Sequence, residues 1–162
     1  MGKKNNDTDK TKEFRNITVN RKAFHDYEIL EKFEAGIELT GSEVKSIREG
    51  KVNLKDSYVE IRSVEAFLLN SHVSQYTNAS YNNHEPERVR KLLLHRRELL
   101  KLDNRVKTRG VSIIPLRMYL TTKGRIKIEI ALAKGKRVYD KKQAIKERDI
   151  RKEADRELRH YR

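Results

Sequence analysis

The stretch that decides the fold covers residues 126–142 and reads IKIEIALAKGKRVYDKK. In its first half, apolar side chains at positions 126, 128, 130 and 132 alternate with Lys127, Glu129 and Ala131. Successive side chains of a strand point to opposite faces, so the alternation predicts a strand with one buried face and one face in water. From Lys134 onward positive charge replaces the alternation. We therefore expect this stretch to join a packed β body to a basic appendage that reaches into something polyanionic.

The composition of the whole chain favours a polyanionic partner. The 162 residues include 38 Lys and Arg against 24 Asp and Glu, which gives a formal net charge of +14. Phosphate backbones are the usual partners of such a chain, and the plain alternative is a soluble protein with surplus surface lysine. No stretch approaches the roughly 20 apolar residues of a membrane span, and residues 1–12 do not form a secretory signal. Without cysteine, the chain has no disulfide or thiolate metal site, which suits a reducing cytoplasm. We expect no metal, cofactor or membrane partner.

Short apolar segments between turn residues predict the body. Residues 1–13 are polar and aperiodic, and we expect them to be disordered. The predicted segments are a helix after Asn20, a bent strand at 27–39 interrupted by Gly36, a helix at 43–49 after Ser42, strands at 58–62 and 66–69, a helix begun by His95 and Glu98, and a hairpin at 111–132. Several short antiparallel strands with short helices between them favour a mainly β fold. We expect an OB-type closed antiparallel β-barrel over residues 14–133, with a mixed α+β sandwich as the alternative.

The last segment, residues 134–162, follows a different pattern. Asp140 and Gln143 form a capping-box pair, and a thin apolar stripe follows at helical spacing through Ile150, Ala154 and Leu158. A highly charged helix with so little to bury is marginal alone, because nucleation is costly. We expect this basic tail to be disordered in the free protein and helical on a partner.

Five short motifs occur together and in order: FEAG at 33–36, GSEVKS at 41–46, DSY at 56–58, RKLLLH at 90–95, and KGKR at 134–137 continuing into DK at 140–141. On these motifs the chain resembles the SsrA-binding protein family, also called small protein B. The resemblance implies an OB-type barrel that binds transfer-messenger RNA in bacteria. It further implies trans-translation, the rescue of ribosomes stalled on broken messages. The family's body takes the place of the anticodon arm that this RNA lacks, and its tail enters the empty decoding region and mRNA channel of the small subunit.

Two positions depart from the pattern that many members show. His95 stands where many have asparagine, although histidine also occurs there and either side chain supplies a hydrogen bond. Lys142 stands where many have arginine, and lysine keeps the charge but loses the planar fork that grips a phosphate with two hydrogen bonds.

The resemblance also selects candidate RNA-binding residues. It implies RNA contacts at Glu34, Leu93, His95 and His25, whereas the residues alone favour an exposed carboxylate, a core leucine, a helix cap and a surface histidine. A basic group is expected to contact the phosphates of transfer-messenger RNA: Arg48, Lys51, Arg90, Lys91 and Arg96, with Arg88 and Arg97 beside them. A second set is expected to face the ribosome: Lys127, Lys134, Lys136, Arg137, Tyr139, Asp140, Lys141 and Lys142. Tyr76 and Tyr81 are weaker candidates for stacking on bases.

Catalysis is not expected. The five histidines lack metal-ligand spacing, and no phosphate-binding loop or nucleophile motif is present. A nuclease that uses histidine and glutamate is the remaining enzymatic alternative. The second alternative is a general single-stranded RNA or ribosomal RNA-binding protein, because such proteins also use basic barrels with tails. We expect a monomer in the cytoplasm.

Overall fold

The computed structural model describes residues 14–79, 82–136 and 138–160, the helix at 138–141 and at 144 by its backbone alone. Arg137, Tyr81 and the predicted disordered segment 1–13 lie outside these ranges. The described elements are β1 (Arg15–Val19), α1 (Arg21–Asp26), β2 (Tyr27–Ile37), α2 (Gly41–Arg48), β3 (Val52–Asn53), β4 (Tyr58–Arg62), β5 (Glu65–Leu69), β6 (His72–Val73), β7 (Arg90–Leu93), α3 (Arg96–Val106), β8 (Val111–Leu120), β9 (Ile126–Gly135) and α4 (Val138–His160).

Within these ranges, six antiparallel strands pair in a closed ring. The sheet order is β1-β8-β4-β5-β7-β2-β9, and β9 also pairs with β8, so that the pairing returns to its start. β1 lies outside the ring on β8. It pairs with residues 117–120 of β8, whereas β4 pairs at Ile113. β3 and β6 form a separate two-stranded sheet. The prediction of a mainly β fold with short helices is confirmed.

The predicted hairpin at 111–132 is the centre of the ring and is longer than expected. β9 pairs with β8 from Ile126 to Lys134 and with β2 from Lys127 to Gly135. Both partners carry a register shift, between Ile29 and Glu31 in β2 and between Pro115 and Arg117 in β8. Bulges of this kind bend a strand, which helps these long strands to close a ring. Pro115 has no N–H to donate to the ladder, and the register shift of β8 lies directly beside it.

The inside of the ring holds the main apolar core. The predicted inward residues of β9 are there, since Ile128, Ile130 and Leu132 are each 0% exposed. Leu102 of α3 joins the same core and is also 0% exposed. Each such side chain contributes roughly 1.5–3 kcal/mol relative to an exposed position. The core thus explains why α3 packs against β4, β8 and β9.

A second, smaller core lies under α1 and corrects one prediction. Ala131 was expected on the wet face of β9, yet it is 0% exposed and packs with Ala23, Ile114, Leu116 and Ala133. The reason is tertiary. The face of β9 opposite the main core is covered by α1 along its last part, and small alanine side chains allow a helix to approach. Lys127 and Glu129, farther along the same face, remain partly exposed as expected.

Asn20 fixes the position of α1. Its Oδ1 accepts a hydrogen bond from the backbone N–H of Ala23 at 3.3 Å, so Asn20 is the N-cap that the sequence predicted. The same side chain donates to the carbonyls of Pro115 at 2.9 Å and Leu54 at 3.2 Å. One buried asparagine therefore caps the helix and ties it to β8.

The start of α2 differs from the prediction. Thr40, not Ser42, is the N-cap, and Glu43 accepts from the Thr40 N–H at 3.0 Å. Ser42 instead hydrogen-bonds His84, in the loop between β6 and β7, at 2.9 Å. Gly50 follows the helix with φ of +79°, the left-handed conformation expected at that position.

The tail leaves the body directly from β9. The Lys136 N–H donates to the Asp26 carbonyl at 2.9 Å, and its ammonium donates to the Phe24 carbonyl at 3.3 Å. α4 then runs over Val138–His160, which begins two residues before the expected cap at Asp140. The described side chains from Lys142 to His160 are exposed. The dependence of this helix on a partner stays a prediction. None of the helices in the described ranges has the length and apolar character needed to cross a membrane.

Candidate nucleic-acid interface

Glu34 lies on the outer face of β2, with its carboxylate exposed. Its neighbours in the strand, Phe33 and Ala35, point into the core and are 8% and 1% exposed. The hydroxyl of Tyr119 on β8 donates a short hydrogen bond to Glu34 Oε2. The structure therefore places Glu34 where it can accept hydrogen bonds from a ligand, while Tyr119 hydrogen-bonds one of its two carboxylate oxygens.

Leu93 projects outward two residues farther along the same sheet. It pairs with Gly36 across β2 and β7, and 49% of it is exposed. The residues alone favoured a core leucine, which this exposure contradicts. A Cβ added at Gly36 would lie 3.2 Å from Leu93 Cβ, so only glycine leaves Leu93 its full room. Gly36 is therefore a point of close approach between β2 and β7, and the register shift of β2 lies elsewhere, between Ile29 and Glu31.

A shallow cavity beside Leu93 combines an apolar floor with a basic rim. Its lining includes the apolar residues Ile37, Val44 and Leu93, which we call the floor, and the basic residues Arg48, Arg125 and Lys127, which we call the rim. Arg48 donates to the Gly124 carbonyl at 3.2 Å, which fixes α2 against the turn between β8 and β9. An apolar floor suits a base or sugar, and a basic rim suits phosphate. We call this end of the ring the hairpin end.

His95 and Arg96 follow Leu93 and open α3. His95 is the N-cap, and Glu98 accepts from its backbone N–H at 3.0 Å, as the capping-box pattern predicted. His95, Arg96 and Arg97 are exposed. A capping role and a ligand contact are therefore compatible at His95.

Arg90 does not lie on the surface, which corrects its assignment as a phosphate contact. It is 0% exposed, and it donates to Glu43 Oε1 at 2.9 Å and to Ser71 Oγ at 3.0 Å. Arg88 reaches the same carboxylate, with 2.8 Å to Glu43 Oε2. Both arginines therefore satisfy a buried glutamate, and a charge satisfied in this way is not offered to RNA. The spacing of apolar residues in the sequence does not reveal that these arginines pair with Glu43.

The titration of Glu43 reflects these partners. Burial alone would raise the pKa of this carboxyl, but hydrogen bonds from Arg88 and the Thr40 N–H, with the charge of Arg90, outweigh burial and lower the pKa below its ordinary value. Burial in turn lowers the pKa of Arg90, and the hydrogen bond to Glu43 raises that of Arg88. Glu43 is thus a permanent anion at neutral pH.

Other predicted basic contacts remain near the surface with partners of their own. The ammonium of Lys51 lies 3.0 Å from Glu49, and that of Lys91 lies 3.1 Å from Glu65. Exposed pairs of this kind are worth little, so both ammonium groups are free to exchange partners. Lys45 lies over the ring of Tyr76, 5.4 Å from its centroid, at the far side of α2.

Two predicted residues lie at other places than expected. His25 was grouped with Glu34, but it is in α1 beyond the opposite end of β2, roughly 20 Å away along the strand, and it contacts Asp26 at 2.9 Å. Lys127 was grouped with the tail, yet it pairs with Gly36 at the hairpin end. Both positions follow from the order and pairing of the strands, and the periodicity within one segment does not reveal that pairing.

Comparison with known proteins decides the family. The family model described as SmpB protein matches residues 17–160. The chain belongs to the SmpB family. A relative named SsrA-binding protein from Syntrophobacter fumaroxidans is 58% identical over 140 residues, covering 86% of each chain. Another of that name from a Sulfurihydrogenibium species is 54% identical, covering 88% of this chain and 93% of the relative.

The fold is also similar to a solved SmpB structure. The chain described by the words "tmRNA-SmpB: a journey to the center of the bacterial ribosome" matches with a TM-score of 0.64 and 44% identity. The match covers 79% of this chain and 93% of that one. The resemblance that the five motifs indicated is therefore confirmed at the level of the family.

Several residues of this SmpB-family surface were missed from the sequence. Tyr119 and Arg117 of β8, Glu129 of β9 and Asn16 of β1 form a connected layer beside Glu34. Each contact joins different strands, so no spacing within one segment reveals it. Arg125 had a usable signal, since it is a basic residue directly before the predicted strand that begins at Ile126.

Proposed function

We propose that this chain binds transfer-messenger RNA and delivers it to stalled ribosomes for trans-translation. Support comes from family membership over residues 17–160 and from relatives named SsrA-binding protein. The similar solved chain is described as tmRNA-SmpB in the bacterial ribosome. The observation on which the proposed site depends is that Glu34 and Leu93 both face outward at one end of the ring, beside a basic rim.

The body, in this proposal, is an OB-type barrel. A closed antiparallel ring with an inward core and a helix between β7 and β8 supports that description. The rigid ring serves to hold the RNA-binding residues at fixed positions, which lowers the entropy lost on binding.

At the hairpin end, different side chains contact different chemical groups of the RNA. Glu34 accepts hydrogen bonds from base amino groups or 2′-hydroxyls, because a carboxylate has no affinity for phosphate. Leu93 packs on a base or sugar, His95 adds a hydrogen bond, and the rim of Arg48, Arg125 and Lys127, with Arg96, neutralises phosphates. Lys51 and Lys91 contribute weaker electrostatic attraction.

The tail acts at the opposite end. From Lys127 to Gly135, β9 covers eight residue steps, which is roughly 25 Å of strand. The 23 residues of α4 add roughly 35 Å if the helix is straight. The body, which β9 spans over roughly 25 Å, takes the place of an anticodon arm. The tail enters the empty decoding region and mRNA channel. There Lys134, Lys136, Arg137, Tyr139, Asp140, Lys141 and Lys142 face ribosomal RNA.

The second candidate is a general single-stranded RNA or ribosomal RNA-binding protein. The basic rim and the charged tail are consistent with it, but it does not require outward Glu34 at an RNA surface, because a carboxylate repels phosphate. We favour the specific function for that reason. In this proposal the protein is a cytoplasmic monomer that acts by binding and not by catalysis.

Binding titrations of site variants test the proposal. Glu34→Ala and Leu93→Asp should each weaken binding of the tRNA-like part of transfer-messenger RNA by about 1–3 kcal/mol. Lys123→Ala, in the exposed turn, is the control and should change affinity only through salt-dependent attraction. Binding should also fall steeply as salt rises, through counterion release. Equal affinity for an unrelated single-stranded RNA of the same length would favour the second candidate, and unchanged affinity in both variants would remove the site assignment.

A further inference from the structure

The carboxylate of Glu34 is held by a buried tyrosine from another strand. Tyr119 is 1% exposed, and its hydroxyl donates to Glu34 Oε2 across β9, which lies between the two strands. Glu34 itself is exposed. Within the described residues no hydrogen bond to Glu34 Oε1 is found. One oxygen of the carboxylate is therefore held by the protein, and the other remains as an acceptor.

Two side chains pack against the ring of Tyr119. The ring of Phe14 lies against it, with 4.9 Å between centroids, and the Arg117 guanidinium lies 4.8 Å from its centroid. Arg117 is in turn held by Asn16 Oδ1 at 2.9 Å and Glu129 Oε2 at 3.2 Å. A tyrosine packed in this way cannot change rotamer without breaking several contacts, so its hydroxyl stays at one place.

The protonation of Tyr119 suits a permanent donor. Burial, and then the hydrogen bond to Glu34, raise the pKa of the hydroxyl well above its usual range. The hydroxyl is thus protonated at any physiological pH. Neighbouring carboxylate charge is also compensated, since Glu129, which pairs with Glu34 across β2 and β9, is engaged by Arg117 at 3.2 Å and by Lys32 at 3.8 Å.

We propose that Tyr119 is a positioning residue for RNA recognition: its hydroxyl holds Glu34 so that Oε1 faces the ligand as an acceptor for an RNA amino or 2′-hydroxyl donor. An unrestrained glutamate loses side-chain entropy when a ligand immobilises it, and a carboxylate held in advance avoids part of that loss. The inference also gives a role to β1 and the residue before it, because Phe14 packs on the Tyr119 ring and Asn16 of β1 holds Arg117 beside that ring. It rests on the proposed function, in which Glu34 contacts RNA.

A double-mutant cycle on the full-length protein tests this positioning. The probe is a transcript of the tRNA-like part of transfer-messenger RNA, titrated at one salt concentration against Tyr119→Phe, Glu34→Ala and the double variant. Tyr119→Phe keeps the ring and removes the hydroxyl, so we expect affinity to fall roughly two- to tenfold, the scale of one hydrogen bond. In the Glu34→Ala background the same change should have no further effect. Tyr58→Phe, an exposed tyrosine on β4, is the matched control and should bind like wild type.

The results separate this inference from the proposed site. Wild-type affinity in Glu34→Ala would overturn both the proposed site and the positioning role, because Glu34 would then make no contact for Tyr119 to position. Weak binding in Glu34→Ala with wild-type binding in Tyr119→Phe would overturn the positioning role alone. An equal loss from Tyr119→Phe in both backgrounds would also overturn it, since that pattern marks a general structural effect.

Discussion

At the scale of single residues, the buried carboxylate of Glu43 joins two of the motifs that identify the family. Glu43 lies in the GSEVKS motif and Arg90 in the RKLLLH motif, and both are 0% exposed. Their hydrogen bonds fix α2 to β7, and Arg90 also donates to the Pro86 carbonyl at 3.1 Å. The two motifs thus have a structural role, distinct from the RNA contacts proposed at Leu93 and His95.

We expect Glu43→Ala to lower the free energy of unfolding by about 3–5 kcal/mol, because it leaves the buried Arg90 charge without its partner. Urea denaturation followed by circular dichroism measures the change. Glu49→Ala is the matched control, an exposed carboxylate at the end of the same helix, and should stay within about 0.5 kcal/mol of wild type. A small effect at Glu43 would mean that Arg90 finds other acceptors.

The stability of the protein should also depend on pH through Glu43. Its pKa is lower in the folded protein than the ordinary value of 4.5, so the unfolded chain binds this proton more readily. The stabilisation is therefore complete above about pH 4.5 and is lost as the pH falls through the lower folded pKa. Urea midpoints measured between neutral pH and pH 3 should fall for wild type. Glu43→Gln should have a lower urea midpoint at neutral pH, and its midpoint should fall less on acidification. An identical fall in both proteins would mean that other carboxyls cause the loss of stability in acid.

At the scale of elements, the turn between β4 and β5 is strained. The strands pair from Tyr58 with Leu69 to Arg62 with Glu65, which leaves a two-residue turn. Both turn residues have positive φ, +49° at Ser63 and +58° at Val64. Such turns match the twist of a hairpin, but a branched side chain is rarely found in this conformation. The hairpin therefore forms despite its turn, because the strands are buried on the core side.

Val64→Gly should stabilise the protein by about 1 kcal/mol, since glycine adopts positive φ without steric cost. The increase should appear in thermal or urea unfolding, with RNA affinity unchanged because the turn is not part of the proposed site. Val64→Ala is the control. It keeps a Cβ in the same backbone conformation, so it should gain little of the stability expected for glycine. If glycine destabilises the protein, the valine side chain has a packing role that offsets its backbone strain.

At the scale of the whole molecule, the register of β9 separates the two proposed functional regions. Lys127 lies beside Gly36 and Leu93, whereas Gly135 pairs with Tyr27 at the other end of β2. The same strand thus connects the proposed RNA site to the origin of the tail. Lys136 fixes the direction in which the tail leaves, through its bonds to the carbonyls of Asp26 and Phe24.

Deleting residues 137–162 should leave affinity for transfer-messenger RNA nearly unchanged but abolish the tagging of stalled nascent chains. The cut falls after Lys136, so β9 and its contacts with α1 are kept. The assay is peptidyl transfer to alanyl-charged transfer-messenger RNA on ribosomes programmed with truncated message, alongside an RNA titration of the same protein. Transfer at the wild-type rate would show that the tail is only a charged appendage, and lost RNA affinity would place part of the RNA site in the tail.

The sequence by itself determined the mainly β class, the Asn20 and His95 caps, the hairpin around β8 and β9, and the family. These depend on local periodicity, backbone preference or motif order, all of which lie within one segment. Only the tertiary structure decided that Arg90 is buried, that Ala131 faces α1, that Lys127 belongs with Leu93, and that Tyr119 holds Glu34. Each of these depends on which strands or helices lie beside one another, and pairing between distant segments is set by the closure of the ring and not by the pattern of any one strand.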